Sequence, residues 1–176
     1  MSKSTVALLP GGVWLLTLQS DDTQHRFDDI AIQTLHGCLD TVETFVSNPL
    51  NVGKGPFALV TWGGRGKFFS NGLSLEHLAA LGKACGDDAH TKDGDALPPG
   101  VFLRDFARLL VRFLTLGMPT VAAINGHAYA GGCMLAMAHD RRVMVSGRFR
   151  LCLNEVLIGM GTSREVPLTG VVDWGK

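Results

Sequence analysis

Two glycine-containing stretches, "SNGL" at residues 70–73 and "AGGC" at residues 130–133, are the parts of the chain best suited to chemistry. Each follows an apolar run typical of a buried strand, and each leads into an apolar, helix-forming stretch. Ligands gather at the carboxyl ends of parallel strands, where the first turn of a helix carries unpaired backbone N–H groups. Two such loops could direct two N–H groups at one oxygen atom, which is the arrangement of an oxyanion hole.

The same glycines also allow a purely steric interpretation. Glycine permits tight turns and close packing of a helix on its neighbour, and for either loop taken alone this explanation is the stronger one. Neither stretch matches the GxxxxGK[ST] or GxGxxG pattern of phosphate-binding loops, so nucleotide binding of those kinds is not favoured. The oxyanion-hole interpretation therefore depends on the two loops lying together.

Composition limits the kinds of partner that the chain can take. Its 176 residues, 46% hydrophobic and 18% charged, fit one soluble globular domain with a sizeable core. Sixteen basic and sixteen acidic side chains cancel, so we expect neither a nucleic-acid nor a membrane partner. No apolar stretch has the length of a membrane span or a signal peptide. The cysteines lack metal-ligand spacing, which predicts reduced thiols, an intracellular protein and no metal site.

The hydrophobic pattern predicts the elements that hold the two loops. In chain order they are a hairpin around Pro10, an amphipathic helix from Asp28, a strand at 57–62, a helix near Leu73, a mobile surface segment at 83–98, a helix from Pro98, a strand at 120–124, a helix at the second glycine loop and a strand at 141–146. Strands that alternate with helices in this way favour an α/β layered domain with a largely parallel sheet.

Three motifs in fixed order give the chain a family resemblance. "FFSNGLSL", "AAINGHAYAGGCMLAMAHDRRVM" and "LCLNEVLIG" resemble the crotonase, or enoyl-CoA hydratase/isomerase, superfamily, and most of all the plant-type Δ3-Δ2-enoyl-CoA isomerases of fatty acid β-oxidation. The resemblance covers about residues 5–160. It implies a single domain with the crotonase-like ββα spiral fold, a layered and mostly parallel sheet with flanking helices, followed by a divergent tail at 161–176.

The resemblance implies an oxyanion hole built from the backbone N–H groups of Asn71 and Gly131, which bind the carbonyl oxygen of an acyl-CoA thioester. The remaining residues implied to contact the substrate are Ser70, Gly72, Leu73, Gly132, His25 and Arg26. Glu155, in "LCLNEV", falls at the place of the catalytic base of the isomerases. Without the motif, Glu155 would be interpreted as a solvated loop residue.

The residue at position 134 distinguishes between two activities of the superfamily. Hydratases carry a second glutamate three residues after the first glycine of the pair, and Met134 occupies that position here. Moving a double bond requires one base, which takes a proton from C2 and returns it at C4. The resemblance therefore implies isomerisation of 3-enoyl-CoA to trans-2-enoyl-CoA, with no cofactor, since coenzyme A is part of the substrate. The alternatives are a catalytically silent acyl-CoA-binding protein and an enoyl-CoA hydratase or thioesterase.

Several polar residues have structural alternatives. His25 and Arg26 belong to a loop that in the family runs near the CoA nucleotide, so a phosphate contact is implied, although a solvated pair is the simpler explanation. We expect His127 to be a packed turn histidine. We also expect "DRR", at residues 140–142, to form caps or pairs within the structure rather than contact substrate.

The end of the chain departs from the family pattern. Relatives continue past the glutamate through helices that cover the acyl pocket and form a trimer interface, whereas this chain ends in "GMGTSREVPLTGVVDWGK". We expect that the C-terminal helical part is missing through an internal deletion, which weakens the implied homotrimer. The resemblance implies a peroxisomal location. Because the terminus carries no Ser-Lys-Leu type signal, the cytoplasm is the alternative.

Overall fold

The computed structural model describes residues 3–85 and 98–153, which form eight strands in two sheets. The strands, in chain order, are β1 (Thr5–Leu9), β2 (Val13–Thr17), β3 (Ala58–Trp62), β4 (Phe68–Ser70), β5 (Thr120–Ile124), β6 (His127–Tyr129), β7 (Arg141–Met144) and β8 (Leu151–Cys152). The larger sheet has the order β1-β2-β3-β5-β7, and the smaller one has the order β4-β6-β8.

Every strand pair except the β1–β2 hairpin is parallel. The helices in this region are α1 (Asp29–Ser47), α2 (Leu75–Ala84), α3 (Pro98–Thr115) and α4 (Gly131–Met137), with a 3-10 turn at Pro49–Asn51. The predicted α/β class with a largely parallel sheet is therefore confirmed. The predicted mobile segment lies mostly outside the described residues, and its first residues belong to α2.

The hydrophobic core lies between the larger sheet and the helices. One apolar face of α3, formed by Phe102, Phe106, Leu109 and Phe113, is buried and meets apolar side chains of α1 and of the central strands. Arg112 of α3 fastens this layer to α1, since its guanidinium donates to Asp40 at 2.7 Å and to Glu43 at 2.8 Å. These contacts link α3 to α1.

The three strands of the smaller sheet, β4, β6 and β8, were not predicted from the sequence. β4 and β6 each have three residues and lie within the stretches that we interpreted as glycine loops leading directly into helices. A strand of three residues is too short to show an alternating pattern, and it was hidden by the neighbouring glycines. These two strands carry the candidate site.

No helix within residues 3–85 and 98–153 is long and apolar enough to cross a membrane. In the same ranges, no three histidine, cysteine or acidic side chains come close enough together to hold a metal ion. Within the described residues, Cys38, Cys85, Cys133 and Cys152 form no disulfide.

His139 is a buried polar residue of the core, 3% exposed. Its Nδ1 lies 2.8 Å from the Leu135 carbonyl oxygen and its Nε2 lies 2.7 Å from Thr61 Oγ1, while its ring packs on Phe113. The carbonyl can only accept, so Nδ1 carries the proton and Nε2 accepts from Thr61. Desolvation lowers the pKa of His139 from 6.5 to about 4. The imidazole is therefore neutral in the folded protein at pH 7.

We predict that the free energy of unfolding falls as the pH is lowered from about 6.5 to about 4. In this pH interval the unfolded chain binds a proton at His139 and the folded chain does not. The contribution of His139 to the free energy of unfolding is therefore complete above pH 6.5, the pKa of the unfolded chain, and is lost as the pH falls to about 4, the pKa of the folded chain. The loss from this group amounts to about 3 kcal/mol at most. Urea unfolding at pH 7 and pH 5 measures it, and His139→Gln should show a flatter pH dependence. Parallel curves for the two proteins would contradict the assignment.

Candidate active site

The smaller sheet brings both glycine loops to one edge. β4, β6 and β8 are parallel, with Ser70 opposite Ala128 and Tyr129 opposite Cys152. Segments that leave the carboxyl ends of parallel neighbours emerge side by side. The stretch after Ser70, the stretch after Tyr129 and the chain beyond Cys152 therefore start from the same edge.

The two loops are in direct contact. A Cβ atom added to Gly132 would collide with the Ser70 carbonyl oxygen and would lie 2.8 Å from the Ser70 carbonyl carbon. A Cβ added to Gly72, whose φ is +85°, would lie 2.9 Å from the backbone nitrogen of Gly131. Backbone therefore approaches backbone at both points. Both the steric and the chemical interpretations of the glycines have a structural basis.

The structure corrects the expected donor of the first loop. The backbone N–H of Asn71 donates to the Gln24 carbonyl oxygen at 2.8 Å, so it is not free to bind a substrate oxygen. The N–H of Leu73, two residues later, has no hydrogen-bond partner in the described part of the chain. The N–H of Gly131, at the first position of α4, is likewise without a partner there. Leu73 and Gly131 therefore each keep an unpartnered N–H donor at the adjoining loop ends.

Leu73 is held in place by a short parallel bridge to Phe27. The Phe27 N–H donates to the Gly72 carbonyl oxygen at 2.8 Å, and the Ser74 N–H donates to the Phe27 carbonyl oxygen at 2.8 Å. Ser74 then caps α2 by accepting from the His77 N–H at 3.2 Å. Both peptide groups that flank Leu73 are held by these bonds, and the first of them contains the Leu73 N–H, so this donor has a defined direction.

Ser70 has a structural role in the first loop. Its hydroxyl is fully buried, donates to the His25 carbonyl oxygen at 2.7 Å and accepts from the Gly72 N–H at 3.1 Å. With both partners inside the protein, Ser70 shapes the turn that presents Leu73. The side chain of Asn71 also bonds internally, donating to Gln24 Oε1 at 2.7 Å.

His25 does not lie where the resemblance implied. Its side chain is 4% exposed, and burial lowers the pKa of the imidazole below its ordinary value. A buried, neutral imidazole is unsuited to contact a phosphate group of CoA, so this expectation is wrong. Arg26 is half-exposed, donates to Gln24 Oε1 at 2.8 Å and lies 3.9 Å from Asp22, which leaves its role at a phosphate a prediction.

Asn125 is a site residue that we did not single out from the sequence. Its Oδ1 accepts from the Gly63 N–H at 3.0 Å, and its Nδ2 donates to the Gly64 carbonyl oxygen at 2.6 Å. It thus joins the end of β5 to the glycine loop after β3. The signal in the sequence is the Asn-Gly pair after a buried strand, which is equally typical of an ordinary turn.

His127 and the "DRR" segment are structural, as expected. His127 Nδ1 accepts from the Arg150 N–H at 3.1 Å, and its ring stacks on Tyr129. Asp140 accepts from the N–H and the hydroxyl of Thr120 at 2.8 and 2.9 Å. Arg142 caps the end of α4 through the His139 carbonyl oxygen at 2.6 Å.

Ala130, which precedes the second donor, has a strained backbone. Its φ of 49° and ψ of −123° suit glycine better than alanine. Its N–H donates to the Cys152 carbonyl oxygen at 2.9 Å, and its carbonyl oxygen accepts from the Met134 N–H at 3.0 Å. These bonds hold the sharp turn that exposes the N–H of Gly131. Met134 lies on α4 and packs against the core.

Glu155, the expected base, lies outside the described residues, as does the tail at 161–176. The structure therefore describes the two glycine loops and the strand that precedes the glutamate. Cys152 is the last residue of that strand.

The comparisons with known proteins agree with this architecture. The family model for enoyl-CoA hydratase/isomerase matches residues 57–166. Enoyl-CoA delta isomerase 3 of Arabidopsis thaliana is 34% identical over 85% of this chain and 55% of its own length. The peroxisomal enoyl-CoA delta isomerase 2 of the same plant is 35% identical over the same shares.

A solved structure from Legionella pneumophila, described as an enoyl-CoA hydratase/isomerase (crotonase), has a TM-score of 0.67 at 22% identity, covering 90% of this chain and 53% of that one. The chain thus spans about half the length of the relatives that it matches. The likeness in structure confirms the crotonase-like fold. Taken with the family match, it shows that the chain belongs to the enoyl-CoA hydratase/isomerase family.

Proposed function

We propose that the chain carries the catalytic core of a Δ3-Δ2-enoyl-CoA isomerase, which converts 3-enoyl-CoA to trans-2-enoyl-CoA. The observation that supports this most directly is the pair of unpartnered N–H groups, on Leu73 and Gly131, at adjoining loop ends. In this proposal they bind the thioester carbonyl oxygen, and Leu73 replaces Asn71 as the donor of the first loop.

The chemistry follows from where charge develops. When a base removes a proton from C2, the electrons of the C–H bond move toward the thioester carbonyl and form an enolate oxygen. Two preorganised donors stabilise that oxygen, each by roughly 3–4 kcal/mol in measured cases. The proton then returns at C4, which places the double bond between C2 and C3.

Glu155 is the base in this proposal. It follows the last residue of β8 by three positions, and three residues of chain span at most about 10 Å. The chain that leads to Glu155 therefore leaves the same sheet edge as the two donor loops. An aspartate or glutamate within hydrogen-bond reach of a carbon acid is a suitable base for a proton shuttle.

Met134 favours isomerisation over hydration. Addition of water needs one group to activate the water and another to deliver a proton to the α-carbon, and a thioether can do neither. The side chain at this place on α4 is apolar and packs against the core. Two of the relatives are named as enoyl-CoA delta isomerases, which agrees with a single-base reaction.

We also propose a peroxisomal location, as the name of one plant relative states for that protein. The substrate class that we propose is the acyl-CoA thioester, with Arg26 available for a CoA phosphate.

The deciding experiment is an assay of the 176-residue chain with a 3-enoyl-CoA, in which the conjugated product is followed by its ultraviolet absorption. We expect the 2-enoyl thioester to accumulate. A parallel reaction that starts from 2-enoyl-CoA should give no 3-hydroxyacyl product by mass spectrometry. Binding of an acyl-CoA in a calorimeter without turnover would instead select the catalytically silent binding protein.

A further inference from the structure

We propose that Phe106 is a positioning residue for the isomerase reaction, because its ring supports both oxyanion loops at once. The inference rests on the proposed function. Phe106 belongs to α3 and lies in neither loop, and it touches no reacting atom in this proposal. Phe106 affects the reaction by fixing the direction of the two N–H donors.

The contact with the second loop is direct. A Cβ added to Gly131 would lie 3.1 Å from Phe106 Cζ and 3.3 Å from Phe106 Cε1. The ring therefore occupies the space beside the α-carbon that carries the donor. The same added Cβ would lie 3.4 Å from Leu73 Cγ, so side chains from α3 and from the first loop meet at Gly131.

The contact with the first loop passes through Phe27. The rings of Phe27 and Phe106 stack with centroids 5.4 Å apart and an angle of 29° between their planes. The backbone of Phe27 makes the two hydrogen bonds that flank the Leu73 N–H. A shift of the Phe106 ring is therefore transmitted to Leu73 through Phe27 and to Gly131 by contact.

Burial makes this support rigid. Phe27 and Phe106 are 2% and 4% exposed, and α3 itself is fixed to α1 by Arg112. Aromatic rings packed at this density do not yield without a cost in contacts. A smaller side chain at 106 leaves a cavity under Gly131 and removes the stacking partner of Phe27, so both donors gain freedom to move.

The first test compares Phe106→Leu with Phe113→Leu. Phe113 lies on the same buried face of α3 and is also fully buried, but its ring packs on His139 instead of on the loops. The two variants should lose similar amounts of thermal stability. Phe106→Leu should also lower kcat roughly 10- to 100-fold with KM changed by less than about threefold, since a misplacement of about 1 Å can cost a factor of 10². Phe113→Leu should keep kcat within about threefold of wild type.

The second test is a compensating pair. Gly131→Ala alone forces a methyl group against Phe106, and Phe106→Leu alone leaves the loop unsupported. In the double variant the methyl group enters the space that the ring has left, so its kcat should exceed that of either single variant. Independent, multiplicative losses in kcat would contradict a shared contact.

A spectroscopic measurement separates failure of this inference from failure of the proposed function. A saturated acyl-CoA with a ¹³C-labelled thioester carbonyl is bound to each protein, and the carbonyl stretch is recorded by infrared difference spectroscopy. Donation by two N–H groups should lower the stretching frequency in wild type and in Phe113→Leu, and lower it less in Phe106→Leu. Phe106→Met, which conserves more of the volume, serves the same comparison if the leucine variant does not fold.

If the wild-type protein shows neither turnover nor the carbonyl shift, the proposed function is overturned, and the role of Phe106 with it. Presence of both in wild type, with Phe106→Leu indistinguishable from Phe113→Leu, would overturn the role of Phe106 alone.

Discussion

Replacing Glu155 by glutamine is expected to lower kcat for the conversion of 3-enoyl-CoA about 10²- to 10⁴-fold, the usual contribution of a positioned general base. Glutamine has nearly the same shape and can fill the same space, but it has no carboxylate to accept the C2 proton. Acyl-CoA binding should change little, because the proposed contacts of the thioester oxygen are the N–H groups of Leu73 and Gly131, which this variant leaves intact. Steady-state kinetics and calorimetry with a saturated acyl-CoA measure the two effects separately.

Glu76→Gln is the matched control for this variant. Glu76 is an exposed glutamate in the first turn of α2, so the same change of charge should leave the rate within experimental scatter. Equal rates for wild type and Glu155→Gln would remove Glu155 from the mechanism. The oxyanion loops would then need a different base.

The sequence was sufficient where a local pattern determines the structure. The helix α1 was predicted because its apolar residues recur at three- and four-residue steps, and its first turn is indeed capped by Asp28, which accepts from the Ala31 N–H at 2.7 Å. The hairpin was predicted because a Pro-Gly-Gly turn separates two apolar runs, and the strands pair with Leu9 opposite Val13. Both features depend on neighbours along the chain.

The choice of donor could not be predicted in this way. The N–H of Asn71 is unavailable because it bonds to Gln24, a residue far away in sequence that the fold brings to the loop. The Leu73 N–H is free because the bridge to Phe27 uses the peptide groups on either side of it. The motif indicated the loop, and a long-range hydrogen bond decided that the Asn71 N–H is not open while the Leu73 N–H is.

The expectation for His25 was wrong for a similar reason. A histidine in a polar stretch such as "QSDDTQHRFDD" suggests a solvated residue. In the structure its N–H donates to Ser20 Oγ at 2.9 Å, and its φ of 51° turns the chain so that the imidazole is buried. A positive φ at a residue other than glycine is uncommon and has no local signature in a sequence.

The two glycines of the second loop have different roles, which the sequence alone did not distinguish. Gly131 carries the proposed donor, and a Cβ there would meet the side chains of Phe106 and Leu73 at 3.1–3.4 Å. Gly132 allows close approach, since a Cβ there would meet the backbone of Ser70. Backbone cannot move away as a flexible side chain can, because Ser70 is held in β4 and bonded to His25. Close approach of backbone to backbone is therefore the role of the second glycine.

Gly132→Ala is therefore expected to lower the free energy of unfolding by about 1–3 kcal/mol, the usual cost of overpacking a close contact. It should also lower kcat strongly, because α4 must move away from Ser70 and takes the Gly131 donor with it. Gly37→Ala provides the control: Gly37 lies in α1 with nothing within 4 Å of an added Cβ, so the same substitution should stabilise the helix. The expected gain is about 0.5–1 kcal/mol with kcat unchanged. Urea unfolding and the isomerase assay measure both variants, and a Gly132→Ala protein that behaved like Gly37→Ala would show that the loops are not held in contact through this glycine.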